Sequence, residues 1–377
     1  MKILILTLST GQGHIQTSKA MCEYFEKQGA ECRILDAYKF ISPFLSSSVE
    51  KFYLLTTQYT PKAFGTVYEL LETKKHTPDG KFSFWSAINN AITASKLEKF
   101  IESFMPDVVV STHIFCGTVM TYISEKLKGF INVGIITDFT IHPFWEESKM
   151  DYYVTASHLL NLQCEKKGID KDKIYPIGIP VSEKFSHKLD SAEAKRVLGI
   201  GEKPTVMFMM GSMGFGNMPK TICEIDALEL DFQILCVCGR NAEAKEKIEK
   251  QSHNHDVYVY GFADNVDIMM DASDFIITKP GGLSMSESLA KGLPTILINP
   301  IPGHEIRNLE FFVNNGISMA ITKTFTIDEA VYQMLCNEWK MKNTKGAVEY
   351  IGKPNAVQDI YKLLLKAVKE KEKNETR

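Results

Sequence analysis

The first residues with chemistry in them stand at the end of the first apolar run, in "LTLSTGQGHIQTSKA". Gly11 and Gly13 precede His14. A glycine turn after a buried strand can hold a phosphate on its main-chain N–H groups. It can also clear room beside the histidine. Gly11-Gln12-Gly13 begins like a dinucleotide fingerprint, and Asp36 stands where a ribose ligand would follow. The third glycine position, however, holds Gln16. The incomplete fingerprint shifts the weight to His14. In the first turn of a helix, above the carboxyl ends of parallel strands, the positive helix end keeps an imidazole neutral and able to take a proton at pH 7. The plain alternative is a turn histidine with local hydrogen bonds.

A second cluster is "TKPGGLSMSESLAKGLPTILINPIPGHEIRN". Pro280-Gly281-Gly282 turns tightly after a strand. A helix is expected near Ser284, its first N–H groups open to a phosphate or sugar. Ser284-Met285-Ser286-Glu287 matches a capping box. The sharper reading of Glu287 is a carboxylate that accepts from both hydroxyls of a ribose. His304, Glu305 and Asn308 crowd polar groups at the next strand end, as hexose hydroxyls require; helix and turn caps are the plain alternative. "GSMGFGN" is a third glycine turn, where Gly211, Ser212 and Met213 offer main-chain donors to a pyrophosphate. Arg240 follows another strand end and is available to an anion. Asp170-Lys171-Asp172 has the spacing of a metal-bridging pair but reads as a solvated loop, and no catalytic metal is expected.

These residues need a scaffold. The 377-residue chain suits two domains. Apolar runs at Ile3 to Leu8, "ECRILD", "PDVVVST", "INVGIITD" and "DYYVTAS", with a helix from Ile15 to Lys27, predict a doubly wound α/β domain. The pattern restarts at "PTVMFMMGS" and continues through "FQILCVCG", "VYVYGF", "DFIITKPGG" and "PTILINP". The linker is placed at Lys184 to Glu193. A helix near Val357 to Val368 and a frayed, charged tail end the chain. Tyr38 to Phe104 breaks the alternation with interleaved aromatics and lysines, among them Lys74, Lys75, Lys81 and Trp85. It reads either as helices packed on the sheet or as an insertion that meets lipid headgroups.

The net charge of −3 gives no general attraction to nucleic acid. Eight scattered cysteines read as buried thiols in a reducing cytosol. "MKILILTL" runs straight into polar residues, too short for a secretory signal, and no apolar stretch is long enough to span a bilayer.

The His-bearing glycine turn, the restarted α/β pattern and "KPGG…SE…GLP…NPIPGHE…N" together resemble the sugar transferases of the GT-B fold. The group includes the enzyme that adds GlcNAc to the peptidoglycan lipid carrier. The chain is more similar still to processive diacylglycerol glucosyltransferases and plant-type monogalactosyldiacylglycerol synthases, of glycosyltransferase family 28. "TDFTIHPFWEESKMDYYVTAS", with Asp138, His142 and Trp145, fits that branch, as does the aromatic insertion. One departure is His304, where relatives usually carry Gln.

The resemblance implies two doubly wound Rossmann-like domains facing a central cleft. Residues 1–185, with the insertion at about 38–104, would take the lipid acceptor. Residues 186–352 would take the UDP-sugar, with 353–377 as a final helix and tail. It implies that His14 is the base, with Gly11, Gly13, Asp138, His142 and Trp145 on the acceptor side. The donor would meet Gly211, Ser212, Met213, Arg240, Phe262, Gly281, Gly282, Ser284, Glu287, His304, Glu305 and Asn308. The implied reaction moves a hexose, glucose before galactose, from UDP to diacylglycerol with inversion and without a cofactor. Lys74, Lys75, Lys81 and Trp85 would touch an anionic membrane, on the inner face of a bacterial cell membrane. The rivals are a same-fold transferase with a polyprenyl-linked acceptor and a non-catalytic UDP-sugar sensor.

Overall fold

The computed structural model describes residues 1–9, 12–41, 94–214 and 216–375. The chain divides into two units. One comprises Met1–Glu183, Ile301–His304 and Asn355–Arg377; the other comprises Lys184–Pro300 and Glu305–Pro354.

In the first unit, strands β1 (Lys2–Thr7), β2 (Glu31–Asp36), β3 (Val108–Ser111), β4 (Ile131–Ile135), β5 (Tyr152–Val154) and β6 (Ile174–Tyr175) form a parallel sheet in the order β2-β1-β3-β4-β5-β6. Strand β1 is apolar from Ile3 to Leu6 because both of its faces are covered. Ile3 and Ile5 pack with Met21 and Phe25 of helix Gln12–Lys27 and with Val357, Ile360 and Leu364 of the last helix. Leu4 and Leu6 point the other way, onto Leu97, Ile101, Met120 and Ile123. The chain thus returns after the second unit to complete the first unit's core. That last helix runs from Ala356 to Glu375, through the segment expected to fray. Alternating lysines and glutamates hold it, as in Lys366–Glu370 at 3.8 Å, one turn apart.

In the second unit, β7 (Thr205–Met209), β8 (Gln233–Val237), β9 (Asp256–Tyr260), β10 (Phe275–Thr278), β11 (Thr295–Leu297) and β12 (Ser318–Ala320) form a parallel sheet in the order β12-β11-β10-β7-β8-β9. Phe208, Ile234, Ile277 and Ile296 share one core with Ile222, Ile225 and Ile248. The segment entering this unit is tied down by a buried ion pair. Lys291 and Asp271, each 1% exposed at the side chain, lie 2.6 Å apart. Lys291 also donates to the His187 carbonyl, and Asp271 accepts from the Leu189 N–H at 3.1 Å.

Six of the eight cysteines are buried, but Cys223 and Cys336 are exposed, contrary to a uniform reading as core thiols. Among the described residues, no helix is long and apolar enough to cross a membrane.

Candidate active site

Each sheet has a point where the strand order reverses, and each carries its polar cluster there, at the carboxyl ends of the strands. In the first sheet the point lies between β1 and β3. His14 comes off β1 in the first turn of helix Gln12–Lys27. Thr112 comes directly off β3. His14 Nδ1 lies 2.8 Å from the Thr112 carbonyl oxygen and 3.0 Å from the Thr137 hydroxyl. A carbonyl only accepts, so the proton sits on Nδ1 and the lone pair of the neutral ring sits on Nε2. Ser18 donates to the His14 carbonyl at 2.8 Å and lies 3.2 Å from the Thr112 hydroxyl, which bonds the Leu6 carbonyl. His14 is therefore anchored to both central strands.

Burial lowers the His14 pKa below the usual histidine value. The charge of Asp138 and the Thr112 carbonyl pull the other way and are outweighed. His113 meets the His14 ring edge-on, with centroids 4.7 Å apart, and stacks on Phe115 at 5.4 Å. Its Nδ1 accepts from the Phe115 N–H at 3.1 Å and caps helix Ile114–Lys126. Burial holds His113 far below the histidine range, with His14 and His142 adding to the effect. His142 Nδ1 caps the turn Pro143–Glu147 through the Phe144 N–H at 3.3 Å, and burial lowers its pKa to about 4.

In the second sheet the order reverses between β10 and β7. After β7 the chain turns through Gly211 and Gly214, both with left-handed φ, +70° and +61°. A Cβ at Gly214 would sit 2.3 Å from the Cys238 carbonyl, so only glycine fits. This turn is pinned to the end of β8: the Arg240 N–H donates to the Ser212 carbonyl at 2.9 Å, and Asn241 donates to the Gly214 carbonyl at 2.8 Å. The Arg240 guanidinium lies 5.7 Å from the Phe262 ring centroid, and that ring is 57% exposed. Together they make a flat cationic and aromatic surface. After β10 come Lys279, Pro280 and Gly281, then helix Gly282–Lys291. Lys279 forms an ion pair with Glu305, which is 2% exposed. Asn308, fully buried, donates to the Pro280 carbonyl at 3.0 Å. Burial pushes the Glu287 carboxyl up to about 8, with Lys184 pulling it down less strongly.

Residues 14–181 match the family model for monogalactosyldiacylglycerol (MGDG) synthase, and residues 205–373 match the C-terminal domain of glycosyltransferase family 28. The processive diacylglycerol beta-glucosyltransferase of Bacillus pumilus (strain SAFR-032) is 27% identical over 348 residues, 91% of this chain and 89% of that one. The enzyme of the same name from Bacillus subtilis (strain 168) is 24% identical over 369 residues, 97% of this chain and 95% of that one. Among solved structures, Acinetobacter baumannii MurG is similar with a TM-score of 0.65 at 14% identity, covering 97% of this chain and 99% of that one. The chain belongs to glycosyltransferase family 28, and its fold is GT-B.

The structure brings His14, Asp138 and His142 into one electrostatic cluster. It sets Gly211, Ser212 and Met213 beside Arg240 and Phe262 at the end of the second sheet.

Two expectations are corrected. The helix near Ser284 begins at Gly282 with Gly281 as its cap, so Ser284 and Glu287 form no capping box. Trp145 is 3% exposed, and its ring fills the space left by Gly117 and Gly134; it is a core residue rather than a contact surface for an acceptor. Glu305 and Asn308 are buried, Glu305 paired with Lys279 and Asn308 donating to the Pro280 carbonyl. His304 opens helix His304–Asn314, and its charge lowers the pKa values of His14 and His142.

Gly11, Lys74, Lys75, Lys81 and Trp85 lie outside the described residues. Sequence reasoning missed Thr112, Thr137 and Lys279. The threonines gave no local signal, but Lys279 directly precedes the glycine turn and was visible there.

Proposed function

We propose that this family 28 protein moves a hexose from a UDP-sugar to the hydroxyl of diacylglycerol with inversion, giving a β-glycolipid. One observation carries the reading. At the order reversal of the first sheet stands a neutral imidazole whose Nδ1–H is fixed by a main-chain carbonyl. That is the state and tautomer a general base requires.

In the reaction the acceptor hydroxyl gives its proton to His14 Nε2. Its oxygen bonds to the anomeric carbon as the bond from that carbon to UDP breaks, and the electron pair leaves on the diphosphate. Direct displacement of an α-linked donor yields a β-glycoside. Asp138 favours the imidazolium that forms, since its charge raises the His14 pKa.

The second unit takes the donor. The Arg240–Phe262 surface receives the base, Glu287 the ribose hydroxyls, and the turn at Gly211 to Met213 the diphosphate. Glucose is the favoured sugar, in keeping with the names of the Bacillus relatives. The charge on the leaving diphosphate is balanced by side chains, with no catalytic metal. The lipid acceptor requires contact with a bilayer surface, and the aromatic and basic insertion with Lys74, Lys75, Lys81 and Trp85 suits that task. Purified protein, diacylglycerol vesicles and each UDP-hexose in turn, with lipid products weighed by mass spectrometry, test the whole reading. A hexosyl-diacylglycerol from UDP-glucose supports it, and the absence of any lipid product rejects it.

A further inference from the structure

The proposed reaction leaves one buried ion pair at the site unused, Lys279–Glu305. We propose that Lys279 is the cation that receives the donor's diphosphate, with Glu305 as the residue that positions it. The inference rests on the reading of the second unit as the UDP-sugar site.

The placement comes first. Lys279 directly follows β10, and Gly211 lies two residues beyond β7. These strands are neighbours at the reversal of strand order, where open parallel sheets bind ligands. A Cβ at Gly211 would lie 3.3 Å from Lys279 Cε, and one at Gly281 would lie 3.4 Å from its Nζ. Two side-chain-free turns therefore close on one ammonium group. Main-chain approach to a phosphate needs such turns, and the ammonium supplies the charge.

The energetics point the same way. A buried ion pair seldom stabilises a fold more than apolar residues of the same shape would. Another buried pair has a structural task, since Lys291 and Asp271 tie down the chain at His187 and Leu189. Lys279 and Glu305 lie instead at the ligand edge of the sheet. The Lys279 side chain keeps 17% of its exposure while its partner keeps 2%, so the pair shows its cationic end. Asn308, one turn along the helix from Glu305, holds the Pro280 carbonyl and fixes the backbone that carries Lys279. A lysine held this way meets a diphosphate whose charge grows as the sugar leaves. Its attraction strengthens toward the transition state and so acts on the rate as well as on binding.

The test compares UDP with uridine, which lacks the diphosphate. Removing Lys279 alone would strand a buried carboxylate, so the comparison is between E305Q and the double variant K279M/E305Q. Calorimetric titration should show the double variant binding UDP about 10–100-fold more weakly than E305Q, as expected for a lost charge-assisted contact. Uridine affinity should agree within about twofold between the two. Equal UDP-to-uridine affinity ratios would overturn the assignment of Lys279. A second measurement needs no variant. UDP, but not uridine, should protect Lys279 of the wild-type protein from reductive methylation, read by peptide mass. Equal labelling with and without UDP would overturn the proposal. Wild-type protein that binds neither uridine nor UDP would reject the nucleotide reading beneath it, and the proposal with it.

Discussion

The His14 ring bonds the main-chain carbonyl of Thr112, 98 positions away in sequence, at 2.8 Å. One residue leaves β1 and the other leaves β3, so the central pair of strands sets both the position and the tautomer of His14. The first consequence concerns rate. H14A should lower turnover by about 10²–10⁴-fold, the usual contribution of a positioned base. UDP binding should be nearly unchanged, because the residues proposed to hold the donor lie on the other unit. Steady-state kinetics beside UDP titration separate the two effects, and near wild-type turnover would exclude His14 as the base.

The second consequence concerns pH. Burial lowers the His14 pKa, so the neutral base should persist below the ordinary histidine value. The acid limb of kcat/KM should therefore fall below about pH 6.5. Asp138 raises that pKa, so D138N should move the limb to lower pH still. The same change removes the charge that favours the imidazolium, so the plateau rate should fall. A limb that moves to higher pH in D138N would contradict the assignment.

Glu287 gives a third test, because its carboxyl is raised to about 8 in the free protein. If it binds the ribose as a carboxylate, binding must release a proton below that pH. Uridine affinity should then rise with pH and level off near 8. In E287Q the affinity should be weaker by about 1.5–3 kcal/mol and flat with pH. Linkage also fixes the sign for stability. A carboxyl whose folded pKa is raised binds its proton more tightly in the fold, so stability falls as pH rises from about 4.5 to 8 and the full loss remains above that window. E287Q should therefore melt higher than wild type at the alkaline end of that window. A uridine affinity independent of pH in the wild type would remove the carboxylate from the ribose.

The Lys291–Asp271 pair predicts a change in stability alone. K291M leaves Asp271 buried without its ammonium partner and frees the His187 carbonyl. The cost should be about 3–5 kcal/mol. K291M combined with D271L should recover much of it, since a matched apolar pair carries no stranded charge. Denaturant melts of the single and double variants decide the point.

The parts of the fold legible in the sequence were those with a repeating reason. Ile3 to Leu6 read as a strand because alternate residues face two different cores. His14 stood out through the glycines beside it. Strand β12, only three residues long, left no pattern to find. The capping box at Ser284 failed because the helix starts two residues earlier, where Met285 bonds back to the Gly281 carbonyl. The resemblance alone places Trp145 on the acceptor side. Two glycines distant in sequence, Gly117 and Gly134, make its buried slot. Thr137 reaches His14 across 123 positions, a pairing with no local signature.

The insertion offers a prediction about the membrane. Changing Lys74, Lys75 and Lys81 together to Glu should weaken binding to anionic vesicles by several kcal/mol, at about 1 kcal/mol per basic group lost and more for the reversed charge. Turnover of a short-chain, water-dispersed diacylglycerol should survive, because the base and donor residues lie elsewhere. Unchanged vesicle sedimentation would place the docking surface outside these lysines.

The central claim is a single displacement at the sugar carbon, driven by a neutral His14. The anomeric configuration of the glycolipid tests it most directly, read by proton NMR on product made from the α-linked donor UDP-glucose and diacylglycerol by the purified protein. A β-glucosyl-diacylglycerol is the predicted product. An α-linked product would contradict the displacement, and UDP release without any glycolipid would contradict the acceptor.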